Sequence, residues 1–229
     1  MNDGTLLSLF QLTDTLFPSG LYAYSFGLET YVSKGIISDS TGFNIFLKNL
    51  VTGSIKHCDA LILKLCMEAI NKGDLEAVIY YEKVIHSMKV VREFREGDIQ
   101  MGRQLLKIMR HLYSSEFMDR YSQKIKNDTI YGHHAVVYAL ACNILGIDIY
   151  SAILAYLYTI VSGIVGAGLR LIPLGQTEGQ RTIETLKGFL STAVSAIMGY
   201  GEQDIYTFAP GIEIMGMKHE MLYTRLFRS

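Results

Sequence analysis

Arg170, Gln176, Gln180 and Arg181 crowd into one stretch, RLIPLGQTEGQR, where Gly175 and Gly179 keep the backbone open. Guanidinium and amide donors on such a loop suit a phosphate or a carboxylate. A second reading has the glutamines capping helix ends and the arginines paired with nearby acids. No GxxxxGK[ST] sequence occurs, so a phosphate cradle of the P-loop kind is excluded. No nucleophile, base and orienting group stand in a recognisable set, which leaves no catalytic residue to assign.

The histidines are no stronger as metal ligands. His133 and His134 are adjacent, and a helix turns neighbours roughly 100° apart, too far to share one small ion. His57, Cys58 and Asp59 are suitable in type for nickel or zinc but have no second ligand pair, and His219 beside Glu220 has the same weakness. Spacing therefore assigns no metal site and no cofactor.

The end of the sequence, HEMLYTRLFRS from His219 to Ser229, has interface chemistry. Wound as a helix, it would align Leu222 with Leu226 and Tyr223 with Phe227, and place Arg225 and Arg228 at the rim. Aromatic, leucine and arginine side chains dominate binding hot spots, so the segment reads as a partner-docking tail. The stretch before it carries Gly199, Gly201, Pro210, Gly211 and Gly216 and reads as a tether. Residues 199–229 are thus expected to be tether plus tail on a single domain covering 1–229. The alternative is a terminal helix packed back on that domain.

Helical periodicity runs almost throughout, with only 3 prolines, and predicts an all-α bundle of roughly eight to ten helices. Segments are expected at about 5–16, 22–34, 41–71 with a break, 74–95, 98–126 with a break, 132–145, 149–170 and 178–198. Gly73 before Asp74 and Gly146 before Asp148 read as stop-and-cap pairs. Thr177 and Gln180 have capping-box spacing ahead of the apolar stripe Ile183, Leu186, Leu190, Val194 and Ile197. Small residues at every fourth position, Ala155, Thr159, Gly163 and Ala167, predict a tight helix contact in the core or across a dimer.

A sequence of 229 residues, 49% hydrophobic and 19% charged, with mean hydropathy +0.22, implies large internal or intersubunit interfaces. The net charge of -1 offers no field for a polyanion, so nucleic acid is excluded as a principal partner. The odd set Cys58, Cys66 and Cys142, with no CxxC, fits free thiols in the cytoplasm, and the first residues, MNDGTLLSLF, have no signal-peptide pattern. From Thr129 to Leu169 the only formal charge is Asp148. A membrane hairpin is the rival there, but His133, His134 and Asn143 interrupt it and basic flanks are lacking.

Three stretches in order, DTLFPSGLYAYSFGLE from Asp14, RLIPLGQTEGQR from Arg170 and the tail, with GHHAVVYALACNILG from Gly132 between them, resemble the urease accessory protein F family, UreF. KVVREFR at Lys89 to Arg95 departs from that family's usual Arg-Glu-Thr opening, with only Glu93 and Arg95 fitting. The resemblance implies a non-enzymatic, cytoplasmic chaperone of urease maturation, a homodimer working with UreD (also called UreH), the GTPase UreG and apo-urease. Nickel would then be handled by that complex, with no cofactor bound stably here and no membrane involved. It further implies interface roles for Pro18, Gly20, Tyr24, Ser25, Glu29, Arg170, Gln176, Thr177, Gln180, Arg181, His219, Glu220, Tyr223, Arg225, Leu226, Phe227 and Arg228. An Arg or Gln offered in trans to the GTPase is one such role. The rival readings are an enzyme acting on a small anion through Arg170, Gln176 and Arg181, and the membrane hairpin.

Overall fold

A computed structural model describes residues 1–14, 17–18 and 20–229, apart from the Leu21 side chain. Among them no strand is present, and the helices are α1 (Asp3–Thr13), α2 (Leu28–Ser33), α3 (Ser40–Leu50), α4 (Asp59–Asn71), α5 (Leu75–Met88), α6 (Arg92–Leu112), α7 (Glu116–Lys126), α8 (His134–Ile144), α9 (Ile149–Leu171), α10 (Gln176–Met198) and α11 (Pro210–His219). The protein is all-α. The last two positions of the first expected helix, 15 and 16, lie outside the described residues, as does Ser19 of the early run.

Helix starts are written in side-chain oxygens. Asp39 accepts from the Gly42 N–H, Asp74 from Ala77 and Asp148 from Ser151, each within 3.0 Å, so the caps read at Asp74 and Asp148 form. Gly73 and Gly146 take φ of 72° and 67°, the left-handed helix stop that glycine adopts without strain. The capping box at Thr177 and Gln180 does not form. Gly175 is the N-cap and α10 starts at Gln176 with no side-chain cap.

The centre is α4 and α8, whose residues Ala60–Met67 and Ala135–Cys142 are buried without interruption. A helix apolar all round must be surrounded, and α5, α6 and α9 do this, with α10 outside α9. Close approach depends on small residues. A Cβ at Gly168 would strike the Phe43 ring, and one at Gly102 would strike the Gly132 carbonyl oxygen and the His133 backbone. Gly102→Ala should therefore prise α6 from the start of α8 and lower stability by about 3 kcal/mol. Urea denaturation checks this, and an unchanged midpoint would refute the backbone contact.

Three expectations are corrected. The helix expected over 74–95 breaks at 89–91, and α6 starts at Arg92, because Lys89 turns inward to an ion cluster described below. The supposed tether is ordered. A π-helical turn at Val51–Ile55 leaves the Gly53 carbonyl free to accept from Phe208 at 2.6 Å, while His57 accepts from Tyr206 at 3.2 Å, and α11 follows. The segment after His219 is not a helix but an irregular strap, so Leu222 and Leu226 do not share a helical face.

Of the small-residue stripe on α9, Ala155 and Ala167 are buried, whereas Thr159 and Gly163 are half-buried and line a groove beside α1 and α10. α9 is long and apolar enough to cross a membrane, with a window of mean hydropathy 1.9, and 61% of that window is buried inside this fold.

Candidate functional site

The chain reverses just before α2. Phe26 and Gly27 have φ of 52° and 83°, left-handed backbone that costs Phe26 strain. Gly27 is required for a second reason: a Cβ there would press on Gly216 N at 3.2 Å and Ile212 O at 3.3 Å. Its absence lets α11 lie across the start of α2. The reversal aims Glu29, 7% exposed, at the far end of the sequence.

Glu29 is the anchor of that end. Its Oε1 accepts from the Leu226 N–H at 2.6 Å, and its Oε2 from the Phe227 N–H at 3.0 Å. Fully buried His219 lies between two acids, with Nε2 3.0 Å from Glu29 and Nδ1 2.6 Å from Glu93. Bonds at both nitrogens fix the ring in one orientation. The second Glu93 oxygen accepts from Arg225 at 2.8 Å. Three elements remote in sequence, α2, α6 and the end of α11 where the strap begins, are thus joined through one imidazole.

Around this clasp the last residues pair with the early run. Ser25 donates from N and Oγ to the Ser229 carbonyl, and Arg228 N–H donates to Ala23 O at 2.9 Å. The Arg228 guanidinium and the Tyr24 hydroxyl both donate to Gln100 Oε1. Burial pushes the Tyr24 hydroxyl above its ordinary pKa against the opposing pull of Arg228. Arg170 lies over the Phe227 ring at 4.4 Å and donates to Tyr22 O at 2.9 Å, a cation–π contact that seals a ring only 5% exposed.

Most residues singled out in the sequence therefore meet here: Tyr24, Ser25, Glu29, Arg170, His219, Arg225, Leu226, Phe227 and Arg228. Glu220 joins through Arg92 at 2.6 Å. Pro18 and Gly20 line a groove beside Tyr24 and Arg228. Gln176, Thr177 and Arg181 stand apart, exposed at the start of α10, with Arg181 paired to Glu178; Gln180 lines the α9 groove with Arg170. Phe227 is occupied by its own body, so it is not a free anchor, whereas Tyr223 is fully exposed and Met221 and Leu226 are 86% and 61% exposed. Sequence reasoning missed Glu93 and Gln100 as members. A lone acid or amide on an amphipathic helix looks solvated until its distant partner is placed.

A second buried polar network lies behind the clasp. Glu82, 0% exposed, accepts from the Tyr121 hydroxyl at 2.7 Å and from the N–H groups of Tyr131, Gly132 and His133 at 3.2, 2.6 and 2.9 Å. Lys89 is 2.6 Å from Asp59 and 3.6 Å from Asp98, and Asp98 also bonds His133 Nδ1. Burial alone would raise the Asp98 carboxyl, but Lys89 and His133 hold it well below its ordinary value. His57, Cys58 and Asp59 do not converge: His57 stacks between Tyr200 and Tyr206 while Asp59 bonds Lys89. Among the described residues no three His, Cys, Asp or Glu side chains gather as metal ligands.

Fold and clasp define an all-α protein whose C-terminal strap is docked on a helical body. Residues 37–187 match the UreF family. The chain is 36% identical to the urease accessory protein UreF of Bacillus sp. (strain TB-90), over 98% of this chain and 99% of that protein. It is 34% identical to the urease accessory protein UreF of Lachnoclostridium phytofermentans, over 99% of this chain and all of that protein. The chain belongs to the UreF family of urease accessory proteins.

Proposed function

We propose that this protein is a non-catalytic scaffold in urease maturation, a cytoplasmic chaperone that joins UreD/UreH, the GTPase UreG and apo-urease while the complex delivers nickel. Family membership supports the setting. The observation that carries the scaffold role is the strap. It is fixed at one end by His219 and at the other by Phe227 and Ser229, all buried, and between them it presents Met221, Tyr223 and Leu226 to solvent. Apolar side chains on a fixed loop bind with little ordering cost, which is the property a docking surface needs. The strap is the UreD/UreH contact in this reading, the protein works as a homodimer, and it holds no cofactor. A scaffold without a nucleotide site controls metal transfer by binding one state of the GTPase better than another.

The experiment is co-purification with apo-urease and its accessory proteins, followed by nickel-dependent activation of urease with this protein present or omitted. Activation without it refutes the reading, as does GTP turnover by the purified protein alone. Within the strap, Tyr223→Ala should leave the melting temperature unchanged and weaken UreD/UreH binding by about 2 kcal/mol or more, roughly thirtyfold. Phe227→Ala should instead lower stability, because its ring is packed under Arg170. Equal loss of stability in both variants would mean that Tyr223 is not free.

A further inference from the structure

A narrow cavity of about 50 Å³ lies beneath the α5–α6 break, lined by Cys58, Asp59, Lys89, Asp98, His134 and Tyr156 together with apolar side chains of α3, α6, α9 and α11. Its polar groups are incompletely bonded by the protein. His134 is 4% exposed; its ring packs near Tyr138 and Tyr156, and among the described residues neither ring nitrogen makes a hydrogen bond. Burial holds the ring below its ordinary pKa and so neutral, and a neutral imidazole needs one acceptor and one donor as partners. Asp59 uses Oδ1 for both Lys89 at 2.6 Å and Tyr156 at 3.4 Å, and among the described residues its Oδ2 makes no hydrogen bond. Lys89 carries three donors, of which Asp59 engages one at 2.6 Å, while Asp98 at 3.6 Å is an ion pair beyond hydrogen-bond length.

Leaving such groups unpaired would cost about 1–3 kcal/mol each, so the cavity calls for a guest that both donates and accepts. We propose that it is a binding site for a cluster of ordered water molecules that bridge His134, Asp59 and Lys89. A water needs about 10–15 Å³ of such space and two to four polar partners, so about three to five molecules fit. An apolar guest would leave the same groups unpaired. A bound metal ion is disfavoured because Lys89 already sits between the carboxylates and burial pushes the Cys58 thiol up, away from the thiolate a metal would need.

The water site also sits at the inner end of a hydrogen-bonded chain. Asp98 bonds His133 Nδ1, and His133 Nε2 lies 3.0 Å from Nδ1 of His86. The half-buried His86 ring stacks on Tyr131 at 3.4 Å, near the surface. Water at Asp98 would extend that chain from the surface to His134 and Asp59 in the core.

The test is a high-resolution crystal structure of the full chain, native and xenon-pressurised. Solvent density within hydrogen-bonding distance of a His134 ring nitrogen and of Asp59 Oδ2, with no xenon in the cavity, is the expected result. Xenon occupancy, a strongly scattering ion, or a cavity without solvent density overturns the proposal. His134→Phe should lose at least one solvent peak. Where that variant does not fold, the ring nitrogen shifts of His134 in the native protein decide: a neutral ring bonded at both nitrogens is expected, and an unbonded nitrogen overturns it.

Discussion

Glu82→Ala is expected to cost about 3–5 kcal/mol, because it removes the shared acceptor of several buried donors, each worth about 1–3 kcal/mol when left unpaired. One carboxylate, 0% exposed, satisfies the Tyr121 hydroxyl and three successive N–H groups leading into α8. Those N–H groups have no helical acceptor, being at a helix start, and the positive end of the helix dipole points at the same oxygen. Alanine would orphan all four donors in a site closed to solvent. Glu82→Gln keeps one carbonyl oxygen and should cost less, although its amide group would face donors. Guanidinium denaturation followed by circular dichroism measures both. Against a total stability of about 5–15 kcal/mol, the alanine variant would be marginal, and a loss under about 1 kcal/mol would mean that water reaches the donors and the carboxylate is dispensable.

The same network shows what the sequence makes legible. Helices with a strong period or a cap are placed within a residue or two: α4 ends at Asn71, α8 covers His134–Ile144 and α9 covers Ile149–Leu171. Those signals are local. The break at Lys89–Val91 is not, because KVIHSMKVVREFR continues a helical period, and what bends it is the attraction of Lys89 to Asp59 and Asp98 on other elements. α11 was hidden for a related reason. Glycines at 211 and 216 read as flexibility, yet a Cβ at Gly216 would strike the Phe94 ring, so that glycine is there for close packing. The site was half legible. Residue types picked out Arg170 and the strap, and the family resemblance Glu29, but only folding joins Glu29 to Phe227 across 198 positions.

Lys89→Met is the second large effect expected, again about 3–5 kcal/mol, because it leaves Asp59 and Asp98 buried without their common cation. Its signature is in the pH dependence. Asp98 titrates at an ordinary 3.8 when unfolded and well below that when folded, held down by Lys89 and His133 against the upward push of burial. A depressed folded value means that the unfolded state takes up protons first as pH falls, so the contribution is complete above about pH 5 and drains away through and below the unfolded value. Lys89 has the opposite sign: burial opposes its charge, but Asp59 and Asp98 raise it above 10.5, so its contribution is whole at neutral pH and is lost only in strong alkali. Removing the ammonium should therefore lower stability at pH 7 and flatten the acid limb between about pH 5 and 3, because Asp98 then gains less by ionising. Lys89→Met combined with Asp59→Asn should recover part of the loss, since one unpaired charge is gone. A Lys89→Met protein with the native acid limb would show that His133 alone holds Asp98 down, and the inward turn of Lys89 that breaks α5 from α6 would need another cause.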